Sequence, residues 1–136
     1  MRTAVVKWAG EEEFLATMPS GQTVLFDAAS EHKKGPSPKE TLLGALGACT
    51  GVDVVSILRK KRQDLRSLEV SVSGEDVHDS PQVWTRIEIV YRLTGKLDDK
   101  AVRDAIELSE TKYCSVSAML GKTAKITYRY EIIPVD

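Results

Sequence analysis

The chain has 136 residues, of which 42% are hydrophobic and 29% charged, fractions that exclude intrinsic disorder and suit a folded globular protein. Two separate cores would each draw on fewer than about 70 residues and be marginal, so a single domain over 1–136 is expected. With 19 basic and 20 acidic residues the net charge is −1, which excludes nucleic acid as the main partner, because phosphate binding needs a basic excess on one face.

The opening stretch MRTAVVKWAGEEEF has no apolar run of signal-peptide length, since Lys7 and Glu11 to Glu13 interrupt it. Leu42–Leu58 is apolar, but it carries Asp53 and three glycines and falls short of the roughly 20 residues that span a bilayer. A buried helix is therefore expected rather than a membrane partner, and the cytoplasm is the expected location. There both cysteines would be reduced at rest.

In chain order, the first elements read as strands: Ala4–Trp8, Glu13–Thr17 and Thr23–Asp27, with Pro19, Ser20 and Gly21 turning the chain between the last two. Ser30–Ser37 is polar and reads as a loop that contains His32. A helix follows with clear punctuation. Ser37 stands at its N-cap, Pro38 at its first position, and Glu40 three residues after the cap. Apolar residues continue nearly all round it to Lys60, so it should be buried on most sides. Gly44, Gly47 and Gly51 each weaken it by up to about 1 kcal/mol, which implies something packed close to its backbone.

Leu68–Gly74 and Val83–Thr94 alternate as strands, joined through His78, Asp79, Ser80 and Pro81. The second places Val83, Thr85, Ile87, Ile89, Tyr91 and Leu93 on one face. Asp98 caps a second helix running to Tyr113, whose apolar face is Val102, Ala105, Ile106 and Ser109. A short helix over Ser115–Leu120 ends at Gly121, and a last strand turns Ile126, Tyr128, Tyr130 and Ile132 inward. Strands and helices come in runs, so the expected class is α+β with antiparallel sheets around a long central helix. A helix apolar on every side is hard to cover with one chain's sheets, and a partner subunit is inferred.

The residues that could carry chemistry are few. Two cysteines and two histidines, none paired at ligand spacing, make a metal site the weakest option. No GxSxG elbow is present. Cys49 lies mid-helix in GACTG, and Cys114 lies between two helices in KYCSVSAML. Each could be inert packing, since cysteine often behaves as a small hydrophobe. The alternative is an attacking and a resolving thiol.

The stretch GPSPKETLLGALGACTGVDVVSIL, followed by KYCSVSAML, resembles the OsmC/Ohr family of thiol peroxidases, and the wording CTGVDVVSIL and KYCSV is closest to its YhfA-like branch. The resemblance covers the whole chain in element order and length. It implies an intertwined homodimer with two long helices between antiparallel sheets, and active sites at the dimer interface. It implies that Cys49 attacks a peroxide and becomes a sulfenic acid, and that Cys114 condenses with it. An external thiol reductant, a dihydrolipoyl group or another dithiol, then reduces the disulfide, and no cofactor is implied.

That chemistry needs a thiolate. A free thiol with pKa near 8.5 is only about 3% ionised at pH 7. Cys49 is about three turns past the helix start, where the dipole has faded, so a cation must activate it. In the family an arginine does so, steered by a glutamate ten residues before the cysteine. Here that position holds Lys39, while Glu40 is nine before and points elsewhere around the helix, which favours its capping role. No arginine occurs between Arg2 and Arg59, and lysine is a point charge rather than a bidentate fork. Asp53, four residues after Cys49, shares its helix face. It either pairs with a lysine or backbone donor, or orients a cation beside Cys49. The leading expectation is thus a cysteine-based peroxidase of oxidative-stress defence acting on organic or hydrogen peroxide. The alternative is a non-catalytic dimer of the same fold serving as a redox sensor or binding a small apolar ligand.

Overall fold

The computed structural model describes residues 1–31 and 33–136, so the reading of His32 as a loop residue lies outside the described residues. The chain divides into two compact units, Met1–Leu42 and Leu43–Asp136, with the division inside the long helix.

In the first unit β1 (Val5–Trp8), β2 (Glu13–Thr17) and β3 (Thr23–Asp27) form an antiparallel meander. Asp27 closes it. Its carboxylate accepts hydrogen bonds from the backbone N–H of Lys34 (3.0 Å) and of Ala29 (2.9 Å), which fold the following loop back on the strand. Those two amides hold the Asp27 carboxyl below the usual aspartate range. The loop leads into α1 (Pro38–Lys60) through both halves of a capping box. Ser37 N–H donates to Glu40 Oε2 (2.7 Å), and Glu40 N–H donates to Ser37 Oγ (3.3 Å).

The second unit holds the rest of α1, then β4 (Asp64–Asp76), β5 (Trp84–Lys96), α2 (Asp99–Leu108), a single π-helical turn (Ser109–Tyr113), α3 (Ser115–Leu120) and β6 (Lys125–Ile133). The sheet order is β4-β5-β6. β4 and β5 pair antiparallel, and β6 runs parallel to β5, from Arg86 opposite Lys125 to Thr94 opposite Ile133. The α+β class holds, and this one parallel pairing departs from wholly antiparallel sheets. Its cause is the crossover: the chain leaves β5, climbs through α2 and α3, and returns in the same direction, as a parallel neighbour requires. β4 and β5 are also longer than their alternating stretches, because their ends pair outside the apolar pattern.

β5 supplies the centre of the core. Ile87, Ile89, Tyr91 and Leu93 are buried on one face, against Leu46, Val54 and Leu58 of α1 and Val102, Ala105 and Ile106 of α2, whereas Val83, which precedes the strand, and Thr85 at its start are exposed. Asp98 caps α2 by accepting from Ala101 N–H (3.0 Å). On edge strand β6, Ile126, Tyr130 and Ile132 are partly buried, but Tyr128 is 42% exposed, since an edge strand has cover on one side only. Trp84 packs on the core, whereas Trp8 and Tyr113 are exposed.

Within this chain α1 buries one stripe only: Leu46, Thr50, Val54 and Leu58, at every fourth position. Val52 is 69% exposed. A single sheet covers one side of a cylinder, so burial on most sides is not reached within one chain. By length and composition α1 is also long and apolar enough to cross a membrane, but it buries a stripe in the core, and Gly47 and Gly51 face β4, while Gly44 has nothing packed against it. A Cβ on Gly47 would sit 3.2 Å from Val72 Cγ2 on β4, so glycine there sets the close approach of helix and strand.

Gly95 answers a different constraint. It adopts φ 151°, and a side chain there would strike the Asp64 carbonyl beside the irregularity between Leu65 and Ser67. Gly95→Ala should lower stability by more than about 1 kcal/mol, read as a fall in the urea midpoint at unchanged slope.

Candidate thiol site

The site is built where α1, β5 and the π turn meet. The π turn exists because Cys114 N–H bonds to Ser109 O (2.8 Å), five residues back instead of four. A helix running unbroken to Tyr113 is therefore corrected: α2 ends at Leu108 and the last turn widens. The extra residue releases the chain into α3 with Cys114 at the cap. The Cys114 sulfur accepts a hydrogen bond from Ser117 N–H (3.3 Å).

Both cysteines are free thiols. Cys114 is buried, 3% exposed, while Cys49 is partly open. Cys49 lies near enough to act on the ionisation of Cys114, across a separation of 65 residues in sequence. Burial, above all, pushes the Cys114 thiol up to about 12; the Cys49 sulfur and the Glu110 carboxylate push the same way, and only the Ser117 amide opposes them.

Around the thiols runs a chain of buried hydroxyls. Tyr91 Oη donates to Glu110 Oε1 (2.7 Å). Thr50 Oγ1 lies 2.7 Å from Tyr91 Oη and 2.7 Å from Ser109 Oγ. Ser109 Oγ donates to Asp53 Oδ2 (2.8 Å). Ser117 Oγ donates to the other Glu110 oxygen, Oε2 (2.8 Å). Thr50 and Ser109 are fully buried, and burial raises the Tyr91 phenol far above its ordinary value.

Of the residues singled out from the sequence, Cys49, Cys114 and Asp53 are tied into this one cluster. Asp53 accepts from Ser109, a partner that neither reading of the sequence supplied. Glu40 is occupied in the capping box and lies 3.6 Å from Lys33 Nζ. The Ser37 amide and hydroxyl hold its carboxyl below the usual glutamate range. Lys39 is partly buried in the first turn of α1. Thr50, Tyr91, Ser109, Glu110 and Ser117 were not picked out as site residues. For Tyr91 and Ser109 the signal was a hydroxyl at a position that periodicity assigns to the core, since a buried hydroxyl needs a partner. Among the described residues, no group of histidines, cysteines and carboxylates is placed to hold a metal ion.

A two-layer α+β unit with a thiol pair between its long helix and a cap is the class this geometry defines. The family model for OsmC-like proteins matches residues 31–129, and the chain belongs to the OsmC family. It is 44% identical over 131 residues to the protein YhfA of Escherichia coli K12, covering 96% of this chain and 97% of that one. The crystal structure of an OsmC-like protein from Mycoplasma pneumoniae matches with TM-score 0.86 at 16% identity, over 98% of this chain and 97% of that one. That of an organic hydroperoxide resistance protein from Elizabethkingia anophelis matches with TM-score 0.72 at 10% identity, over 98% of each chain. At such identities the likeness is one of fold.

The raised Cys114 thiol has a stability consequence. Its folded form prefers the proton, so its contribution is complete below about pH 9 and is lost as pH rises toward about 12. Iodoacetamide at pH 8 should therefore modify Cys49 before Cys114, read by peptide mass spectrometry. Cys114 should react readily only after unfolding.

Proposed function

We propose that the protein is a thiol-dependent peroxidase that reduces organic or hydrogen peroxide in oxidative-stress defence. The observation that carries this reading is the nearness of the two thiols, Cys49 acting on the ionisation of Cys114. The name of the hydroperoxide-resistance neighbour gives it further support. The Cys49 thiolate attacks one peroxide oxygen. The S–O bond forms, the O–O bond breaks, and the second oxygen leaves, after taking a proton, as an alcohol from an organic peroxide or as water from hydrogen peroxide. The sulfenic acid is then attacked by the Cys114 sulfur. The S–S bond forms and water leaves, carrying the sulfenic oxygen, its own proton and the one from Cys114. An external dithiol reduces the disulfide and restores both thiols.

The exposed face of α1, with Ala48, Val52 and Val55 along a groove that β4 borders, supports a homodimer in which a second copy covers it. Val52→Glu should convert the dimer to monomer, read by sedimentation or light scattering.

Cys49→Ser should bring peroxide consumption down to the uncatalysed rate. Cys114→Ser should keep the first attack and accumulate a sulfenic acid that dimedone traps. In the native protein one equivalent of alkyl hydroperoxide should link Cys49 to Cys114 within a chain. If neither thiol changes oxidation state under excess peroxide, the proposal is wrong. A second reading, a redox sensor without turnover, is favoured by the Glu110 carboxylate, whose charge opposes a thiolate beside it. It predicts the same disulfide, with less than one turnover in the presence of dithiol.

A further inference from the structure

The hydroxyl chain contains a proton-counting problem. Four contacts link Glu110 to Asp53: Glu110 Oε1 to Tyr91 Oη, Tyr91 to Thr50, Thr50 to Ser109, and Ser109 to Asp53 Oδ2, each 2.7 or 2.8 Å long. Oxygens at that distance have a proton between them. The three hydroxyls bring three protons, one each. With both carboxylates ionised, Tyr91 donates to Glu110 and Ser109 donates to Asp53. Thr50 then faces two lone pairs with a single proton. One contact would place two oxygen lone pairs against each other in the core, where an unmet hydrogen bond costs most.

We propose that Asp53 and Glu110 hold one shared proton, and that Thr50, Tyr91 and Ser109 form a proton wire between them. A fourth proton fills every contact, in either of two states. In one, Asp53 is the acid and donates to Ser109, Ser109 to Thr50, Thr50 to Tyr91, and Tyr91 to the Glu110 carboxylate. In the other, Glu110 is the acid and every bond points the opposite way, ending on the Asp53 carboxylate. Passing between them moves each of the four protons across one contact, and the negative charge moves from one end to the other.

The Glu110 end is the one that acts on the thiols. Its charge opposes ionisation of Cys114. Moving the proton to Glu110 removes that charge without bringing a cation into the core. The wire thus makes Glu110 and Asp53 positioning residues for thiolate formation. The other titratable groups around it are Cys49 on α1, Glu107 on α2, and Tyr128 on β6, which is acted on by both Glu107 and Glu110.

The test uses the full-length reduced protein with ¹³C-labelled aspartate and glutamate side chains, followed by isotope-edited infrared spectroscopy at pH 7.5. The folded wild type should show the C=O band of one protonated carboxylic acid per chain. Thr50→Val leaves two contacts and two hydroxyl protons, so the acid band should vanish. Asp53→Asn supplies an amide N–H to Ser109, fills the chain without an extra proton and fixes Glu110 as an anion. Its acid band should vanish too. A wild-type spectrum with no protonated carboxyl overturns the proposal by itself, whether or not the variants fold. So does an acid band that persists in folded Asp53→Asn and Thr50→Val. The infrared readout involves no peroxide, so failure here leaves the peroxidase reading untouched, and failure there leaves the shared proton standing.

Discussion

The arrangement of the thiols depends on one buried row of oxygen atoms. Thr50 comes from α1, Tyr91 from β5 and Ser109 from the π turn, so one row of hydroxyls links three elements. Apolar packing is nearly indifferent to a small rotation of a helix about its axis. Short hydrogen bonds are not, because a buried hydroxyl that loses its partner costs about 1–3 kcal/mol. Thr50 belongs to the same stripe as Leu46, Val54 and Leu58, and its bonds fix which way that stripe faces. Cys49 is one residue away and about 100° round the helix, so its direction follows from that of Thr50.

The π turn completes the geometry from the other side. Val102, Ala105, Ile106 and Ser109 keep α-helical phase and stay buried. A further α-helical turn would carry the chain past the site. Widening it by one residue places Glu110 against Tyr91 and Ser117 and brings Cys114 to the start of α3 with its sulfur accepting from Ser117 N–H. The placing of the two thiols is the consequence of two local departures from ideal geometry: hydroxyls in a core stripe and a five-residue turn.

Much of this frame is written locally in the sequence. Ser37, Pro38 and Glu40 announce the start of α1, and the coordinates place both hydrogen bonds of the capping box there. The alternation of Ile87, Ile89, Tyr91 and Leu93 identifies the buried face of β5, and Asp98 identifies the start of α2. What periodicity cannot carry is any property that depends on a distant neighbour. The direction of β6 relative to β5 is set by the crossover, not by Ile126 to Ile132. The π turn reflects where the chain must go next. Glu110 has nothing in its local surroundings to mark it, since its partners Tyr91 and Ser117 lie 19 and 7 residues away. The thiol pairing is non-local in the same way.

The electrostatics of the site also turns on that distinction. Reasoning along the helix sets Asp53 beside Cys49 and asks for a cation to offset it. In the folded chain the network around the thiols holds carboxylates and hydroxyls, and its named members include no lysine or arginine. Carrying an ammonium or guanidinium into such a place costs several kcal/mol of desolvation per ion before any attraction is gained. A proton held along hydroxyls already in the core adds no further ion. It lowers the total charge of the two carboxylates by one and lets the remainder sit at the end away from Cys114. A thiol site enclosed by acids can in this way relieve its own field, and the three hydroxyls that orient the helix are the ones that carry the proton.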